Sequence, residues 1–305
     1  MTHKGRAKSA LEKFLETPPP VLDSALSQLR HSLLIDPLPS LCPYRAYIWS
    51  VLLRCAPIGT EWYSGMVVKG PCGSSSKISN DIHRTFGGED TFWGDNKEEK
   101  SSQLNRLLNV YGWMVHSSHE MSPYVQGMNV IAGVSMYVSR SEPQAFALFQ
   151  SLLINQLPRY ATPNLVGVND GVNLVDIILK RIDTKLYSHL SNCMLSAKIY
   201  AFPLILTLSA CTPTLDEVTR LWDFFFAYGV HLNVVAVVAQ VLMIREQLLK
   251  SDTPMAILRQ FPKIQADTII KLSLGIVKKL DDDLYELVVR HTHDDVRERI
   301  EAYLP

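Results

Sequence analysis

The chain has 305 residues, 47% of them hydrophobic and 20% charged, enough apolar material for one large domain or two ordinary ones. Lys plus Arg equals Asp plus Glu at 30 each, so no net basic field supports general nucleic-acid or anionic-membrane binding. The same composition excludes an extended disordered chain as the main state.

Cysteines 42, 55, 72, 193 and 211 form no C-x-x-C pair, and their odd number speaks against a disulfide framework and for a reducing compartment. The first sixteen residues are basic without an apolar core, so no secretory signal is expected there. The longest apolar run, Val234 to Ile244, is interrupted by Gln240 and falls well short of the roughly 18 residues of a membrane span. These features together predict a soluble cytoplasmic protein.

Residues 1–20 read as a flexible basic arm ending in Pro18-Pro19-Pro20. Leu22, Leu26, Leu29 and Leu33 follow at helical spacing until Pro37 and Pro39 break the helix. A second helix after Ser40 is expected to bury Tyr44, Ile48, Val51, Leu52 and Cys55 on one face. Asn96 and Glu99 form a candidate capping box. The helix they open carries Leu104, Leu107, Leu108, Tyr111 and Val115 on one stripe.

Further helices are predicted near 127–138, 143–156, 170–181, 196–209, 214–227, 232–250, 254–260, 265–279 and 282–300. No run alternates with period two, and the β-branched run from Val234 to Val238 is long enough without a turn to read as a buried helix. The expected fold is all-α with about a dozen helices in two lobes. Pro158, Pro163 and Gly167 place the boundary, giving an N-terminal lobe over 21–165 and a C-terminal lobe over 166–305.

Several chemistries lack their signatures. GPCGSSSK at 70–77 lacks the P-loop spacing, no G-x-G-x-x-G follows a strand, and no G-x-S-x-G elbow occurs. His116/His119 and His291/His293 lack metal-ligand spacing and read as solvated surface histidines. No metal and no bound cofactor is expected.

Three segments stand out. Arg45-Ala46-Tyr47-Ile48-Trp49 reads R-x-x-x-W on a helix. Trp49 reads as core and Arg45 as a structural ion-pair partner. Ile78 to Thr85 reads I-x-x-D-x-x-R-T. On a helix, Ile78, Ile82, Thr85 and Phe86 share a face, while Arg84 projects from its edge and Asp81, three residues earlier, can pair with it. Gly87-Gly88 would end that helix. Taken alone, this pair reads as a routine surface ion pair. Tyr124 to Asn129 reads Y-x-Q-G-M-N. Gln126 can present an amide to a water or a partner backbone, or bond its own loop, and Gly127 permits close backbone approach to a partner. Farther on, Trp222 and Asp223 lie in LWDFFFAYG, where core packing is expected, with Asp223 bonding a neighbouring backbone.

In this order the three segments resemble the TBC domain, an all-helical family of GTPase activators acting mainly on Rab-type small GTPases. LWDFFFAYG resembles the family's W-D-x-x-F-x-x-G segment, and the resemblance runs from about residue 27 to 250. SPYVQGMNV, LWDFFFAYGVHLN and LRQFP resemble its fungal mitotic-checkpoint and septation branch. The resemblance implies that Arg84 is an arginine finger and Gln126 a glutamine finger, both supplied in trans. Asp81 would hold Arg84, with Thr85, Tyr124 and Gly127 in support, while Arg45, Trp49, Trp222 and Asp223 would be structural.

It further implies a Rab/Ras-like GTPase partner that carries the GTP and magnesium. It implies a separate scaffold subunit completing a two-component activator, and a spindle-pole-body location. The chain departs from the usual pattern at Tyr200-Ala201, where many members carry W-F, at Pro123 before the tyrosine, and in the acidic loop 87–97 bearing Trp93. Two other readings are open: a non-catalytic GTPase- or scaffold-binding helical module, and a helical adaptor that binds no GTPase.

Overall fold

The computed structural model of the protein describes residues 9–11, 22–87 and 90–303. Most of the expected N-terminal arm, 1–8 and 12–20, lies outside the described residues. The Ala10 backbone N–H donates to an Asp36 carboxylate oxygen at 2.6 Å. Among the described residues all regular structure is helical, in keeping with the all-α expectation.

The first half comprises α1 (Leu22–Ile35), α2 (Arg45–Leu52), α3 (Thr60–Val68), α4 (Ser75–Ile82), the short α5 (Asp90–Trp93), α6 (Lys97–Met114), α7 (Met128–Val138) and α8 (Glu142–Ser151). Helix α6 is the hub: its predicted stripe Leu104, Leu107, Leu108, Tyr111 and Val115 is buried, with α3, α4, α7 and α8 packed around it. Its cap differs from expectation. Asn96 occupies the N-cap but makes no side-chain cap bond, and exposed Glu99 instead accepts a weak 3.4 Å bond from Gln103.

The second half contains α9 (Val166–Ile182), α10 (Thr184–Asn192), α11 (Ala197–Tyr200), α12 (Phe202–Leu206), α13 (Leu215–Tyr228), α14 (Leu232–Met243), α15 (Arg245–Lys250), α16 (Pro254–Arg259), α17 (Ala266–Val277), α18 (Asp282–Arg290) and α19 (Arg297–Glu301). Helix α14 is its centre, with every residue from Leu232 to Val241 buried. Such all-round burial accounts for its β-branched composition, since tertiary packing overrides propensity. Its polar residues Asn233 and Gln240 both bond Ser209, although Gln240 Oε1 is left buried without a partner among the described residues. The Ser209 hydroxyl donates to Asn233 Oδ1 at 2.8 Å, and Gln240 Nε2 donates to Ser209 Oγ at 3.0 Å.

Several helices expected to be continuous are interrupted. The 196–209 run divides at Ala201, where Pro203 opens α12. The 232–250 run divides at Ile244, and Arg245 turns aside to pair with Asp183. The 282–300 run divides after Arg290 because His291 and Thr292 are drawn into the interior. His291 is thus not the solvated surface residue its neighbourhood suggested. Its Nδ1 lies 2.6 Å from the Val288 carbonyl and its Nε2 2.8 Å from the Tyr160 hydroxyl. Burial lowers its pKa to about 3, so it stays neutral.

A seam ties the two halves. Arg45 on α2 is buried, and its Nε donates to Asp223 Oδ1 on α13 at 3.2 Å. Trp49 Nε1 donates to the same oxygen at 2.7 Å, and the remaining guanidinium nitrogens reach the Ser40 and Leu38 carbonyls. Arg45 is therefore the structural pair partner expected, but Asp223 bonds two distant side chains rather than a neighbouring backbone. Trp222 Nε1 donates to the Leu208 carbonyl at 2.9 Å, and the Trp49 ring meets Phe226 edge-on at 4.8 Å. Burying Arg45 rotates α2 away from its expected face: Ile48 and Leu52 point inward, while Tyr44 and Val51 are about half exposed.

Candidate functional site

Helix α4 buries Ile78 and Ile82 and stops there, one turn earlier than the apolar spacing predicted. The chain then turns through Arg84, whose N–H donates to the Asp81 carbonyl at 3.0 Å, and Thr85, whose N–H donates to the Ile82 carbonyl at 3.0 Å. Phe86 leaves the turn in the left-handed region at φ 46°. Its ring lies on Gly133 of α7, where an added Cβ would come within 2.6 Å of the ring edge, and it meets Phe92 at 5.0 Å. From the acidic loop, Trp93 Nε1 donates to the Thr85 carbonyl at 3.1 Å. The backbone beneath Arg84 is therefore held on three sides while its side chain is exposed.

The second segment approaches from the loop before α7. Tyr124 is buried and its hydroxyl donates to Asp81 Oδ2 at 2.7 Å. Burial and the adjacent Asp81 carboxylate hold this phenol above its ordinary pKa, so it remains a donor. Gly127 caps α7 with φ 103°, and a Cβ there would stand 3.0 Å from Leu206 Cδ2. The space a side chain would need there is taken by Leu206 of the same chain, and the left-handed backbone favours glycine. Gln126, one residue before, is exposed.

The expected Asp81–Arg84 ion pair does not form among the described residues. Arg84 sits beyond the helix end, where the i, i+3 geometry no longer applies, and the Asp81 carboxylate is engaged by Tyr124. Asp81 thus joins the two loops instead of gripping the arginine. Thr85 also serves the loop, donating its hydroxyl to the Asp81 carbonyl at 3.1 Å.

The residue that completes the clasp is Asn129, quoted in the Y-x-Q-G-M-N segment but assigned no role from sequence. Its Nδ2 donates to Thr85 Oγ1 at 2.8 Å and lies 3.3 Å from the Asp81 carbonyl, while its Oδ1 accepts the Gly127 N–H at 3.1 Å. One buried amide thus ties the Arg84 turn to the Gln126 turn. The available signal was a polar residue in the first turn of a largely apolar helix, where burial demands partners. Asn129→Ala strands several buried groups and is expected to cost about 1–3 kcal/mol, read as a lowered urea midpoint. A midpoint equal to that of the wild type would mean the clasp is not sustained in solution.

Arg84 and Gln126, 42 positions apart, line the same cleft between the halves. It consists of two adjoining hollows of about 430 and 660 Å³, with Asp81, Arg84, Gln126 and Leu165 on both. Among the described residues neither the Arg84 nor the Gln126 side chain has an intramolecular hydrogen bond, so both are available to an incoming surface. The seam residues Arg45, Trp49, Trp222 and Asp223 line neither hollow. A hollow of about 460 Å³ lined by Asp176, Lys180, Arg181 and Tyr187 contains none of the motif residues. No helix is long and apolar enough to cross a membrane, and no metal-holding cluster of His, Cys, Asp and Glu occurs, among the described residues.

Residues 43–249 match the Rab-GTPase-TBC domain. The chain is 41% identical over 288 residues to Cell division control protein 16 of Schizosaccharomyces pombe, covering 93% of this chain and 94% of that one. It is 39% identical over 302 residues to Mitotic check point protein BUB2 of Saccharomyces cerevisiae, covering 94% and 98%. The fold is similar to the crystal structure of the Ypt/Rab-GAP domain of Gyp1p, with a TM-score of 0.69 at 16% identity over 89% of this chain and 99% of that one.

Proposed function

Since the chain belongs to the Rab-GTPase-TBC family of GTPase activators, we propose that it completes a GTPase active site in trans, with Arg84 as the charge-stabilising finger and Gln126 as the water-orienting one. The observation that carries this reading is the convergence of two unpaired side chains, one cationic and one amide, on one cleft. Phosphoryl transfer needs charge stabilised on the transferring group and a placed nucleophile, and a protein supplying both requires no nucleotide pocket of its own. Arg84 would donate to the γ-phosphate region. Gln126 would orient the attacking water or bond the backbone of the partner. GTP and magnesium would arrive with the GTPase.

The likeness to two proteins named for cell division and a mitotic check point supports a cell-division setting; within it we propose control of mitotic exit or septation, a separate scaffold subunit and action at the spindle pole body, as the motif resemblance implies. Single-turnover GTP hydrolysis by such a GTPase, with and without the scaffold, tests both the activity and the two-component form. Stimulation by this chain alone would remove the scaffold from the catalytic unit. GTP-dependent binding without any stimulation would favour the non-catalytic module. Gln126→Ala is expected to lower the saturated rate at least about 100-fold, the scale of a lost positioning or proton-handling group. A rate within about threefold of the wild type would assign water positioning to the GTPase's own residues.

A further inference from the structure

The lining of the candidate cleft is chemically mixed. Asp81, Arg84, Gln126 and Asn129 supply polar groups, and Leu165, Phe202, Pro203 and Leu206 supply apolar ones. Among its apolar residues, Leu165 alone borders both hollows. It stands at the N-cap of α9 with left-handed backbone, φ 50° and ψ 42°, a conformation costly to any residue bearing a Cβ.

Hydrogen bonds hold it there. Leu165 N–H donates to the Thr162 carbonyl at 3.1 Å, and Val166 N–H to Thr162 Oγ1 at 3.2 Å. The Asn169 amide donates to the Asn164 and Leu165 carbonyls at 3.2 and 3.1 Å. Strained residues persist where their surroundings over-determine them, and they cluster at contact sites. Here the result is a half-buried leucine that lines the cleft together with Arg84 and Phe202.

We propose that Leu165 is a partner-binding residue that, with Phe202, receives an apolar side chain from the phosphate-sensing face of the GTPase. The inference rests on the function proposed above. A protein that brings a γ-phosphate to Arg84 has to lay the segments around that phosphate against the other residues lining the same cleft, Leu165 and Phe202 among them. Those segments are ordered when GTP is bound. A charged or polar side chain pressed against Leu165 and Phe202 would lose water without gaining a partner. An apolar one gains burial.

The test is GTP hydrolysis by the full chain over a range of its concentrations, with Leu165→Ala, Leu165→Gly and Leu165→Met measured beside Arg84→Ala. Leu165→Ala is expected to raise the half-saturating concentration about tenfold or more, the scale of lost apolar contact in a recognition site. Its saturated rate should stay within about twofold of the wild type. Leu165→Gly relieves the left-handed backbone, so the same loss of affinity should appear with an undiminished melting temperature. Leu165→Met should restore most of the affinity.

An unchanged half-saturating concentration in Leu165→Gly, with Arg84→Ala inactive, overturns this proposal alone. A collapse of the saturated rate instead would show that Leu165 positions the fingers and does not bind the partner. Full activity of Arg84→Ala overturns the functional reading beneath it.

Discussion

Arg84→Ala is expected to lower the stimulated rate of GTP hydrolysis by about 10³-fold or more, the contribution of an arginine finger. On the rate scale, 10³–10⁵ corresponds to roughly 4–7 kcal/mol of transition-state stabilisation. The effect should fall on the saturated rate, because the guanidinium is needed where charge develops and little of it is used in holding the partner. Folding should be untouched, since the Arg84 side chain is exposed and makes no side-chain bond among the described residues. Melting temperature and GTP-dependent GTPase binding are therefore the controls. Arg84→Lys should remain badly impaired, because a flexible ammonium lacks the planar fork that spans two oxygens. Wild-type stimulation by Arg84→Ala would defeat the assignment outright.

The second large effect belongs to the seam. Asp223→Ala leaves the Arg45 guanidinium and the Trp49 indole N–H buried without their carboxylate. Removing one partner of a buried pair costs about 3–5 kcal/mol, since the stranded charge can no longer be solvated. Urea unfolding should show this as a large fall in midpoint. Arg45→Met combined with Asp223→Leu should lose distinctly less than either Arg45→Ala or Asp223→Ala, because no orphan charge remains. A single variant within about 1 kcal/mol of the wild type would put water or a rearranged partner in the seam. The two predictions separate cleanly: Arg84 should change rate without stability, and Asp223 stability first.

Much of this was readable along the chain because it depends on local spacing. The buried stripe of α6 follows from apolar residues three and four apart. The buried character of α14 follows from an apolar run too short for a membrane. Arg84 and Gln126 stood out as motif positions, and the comparison with known proteins bears out the family those motifs implied. Other details were not readable locally. The face of α2 was misjudged because a pattern of hydrophobic residues gives no weight to a buried arginine, and Arg45 is buried only because Asp223 waits 178 positions away. The continuous helix expected over 282–300 breaks where a distant partner, Arg159, claims the His291 carbonyl.

Legible from the amino-acid order were the helical character of the described residues, the interior of the main helices and which short segments carry chemistry-bearing residues. Those properties arise from neighbours within a turn or two, which spacing encodes directly. Only the tertiary structure decided that Asp81 bonds Tyr124 and not Arg84, that Asn129 clasps the two loops, and that Arg84 and Gln126 share a cleft with Leu165. Those properties depend on where a helix stops and which distant surface meets it. Hydrogen-bond geometry, acting over about 3 Å, then selects one partner among several that the sequence allows.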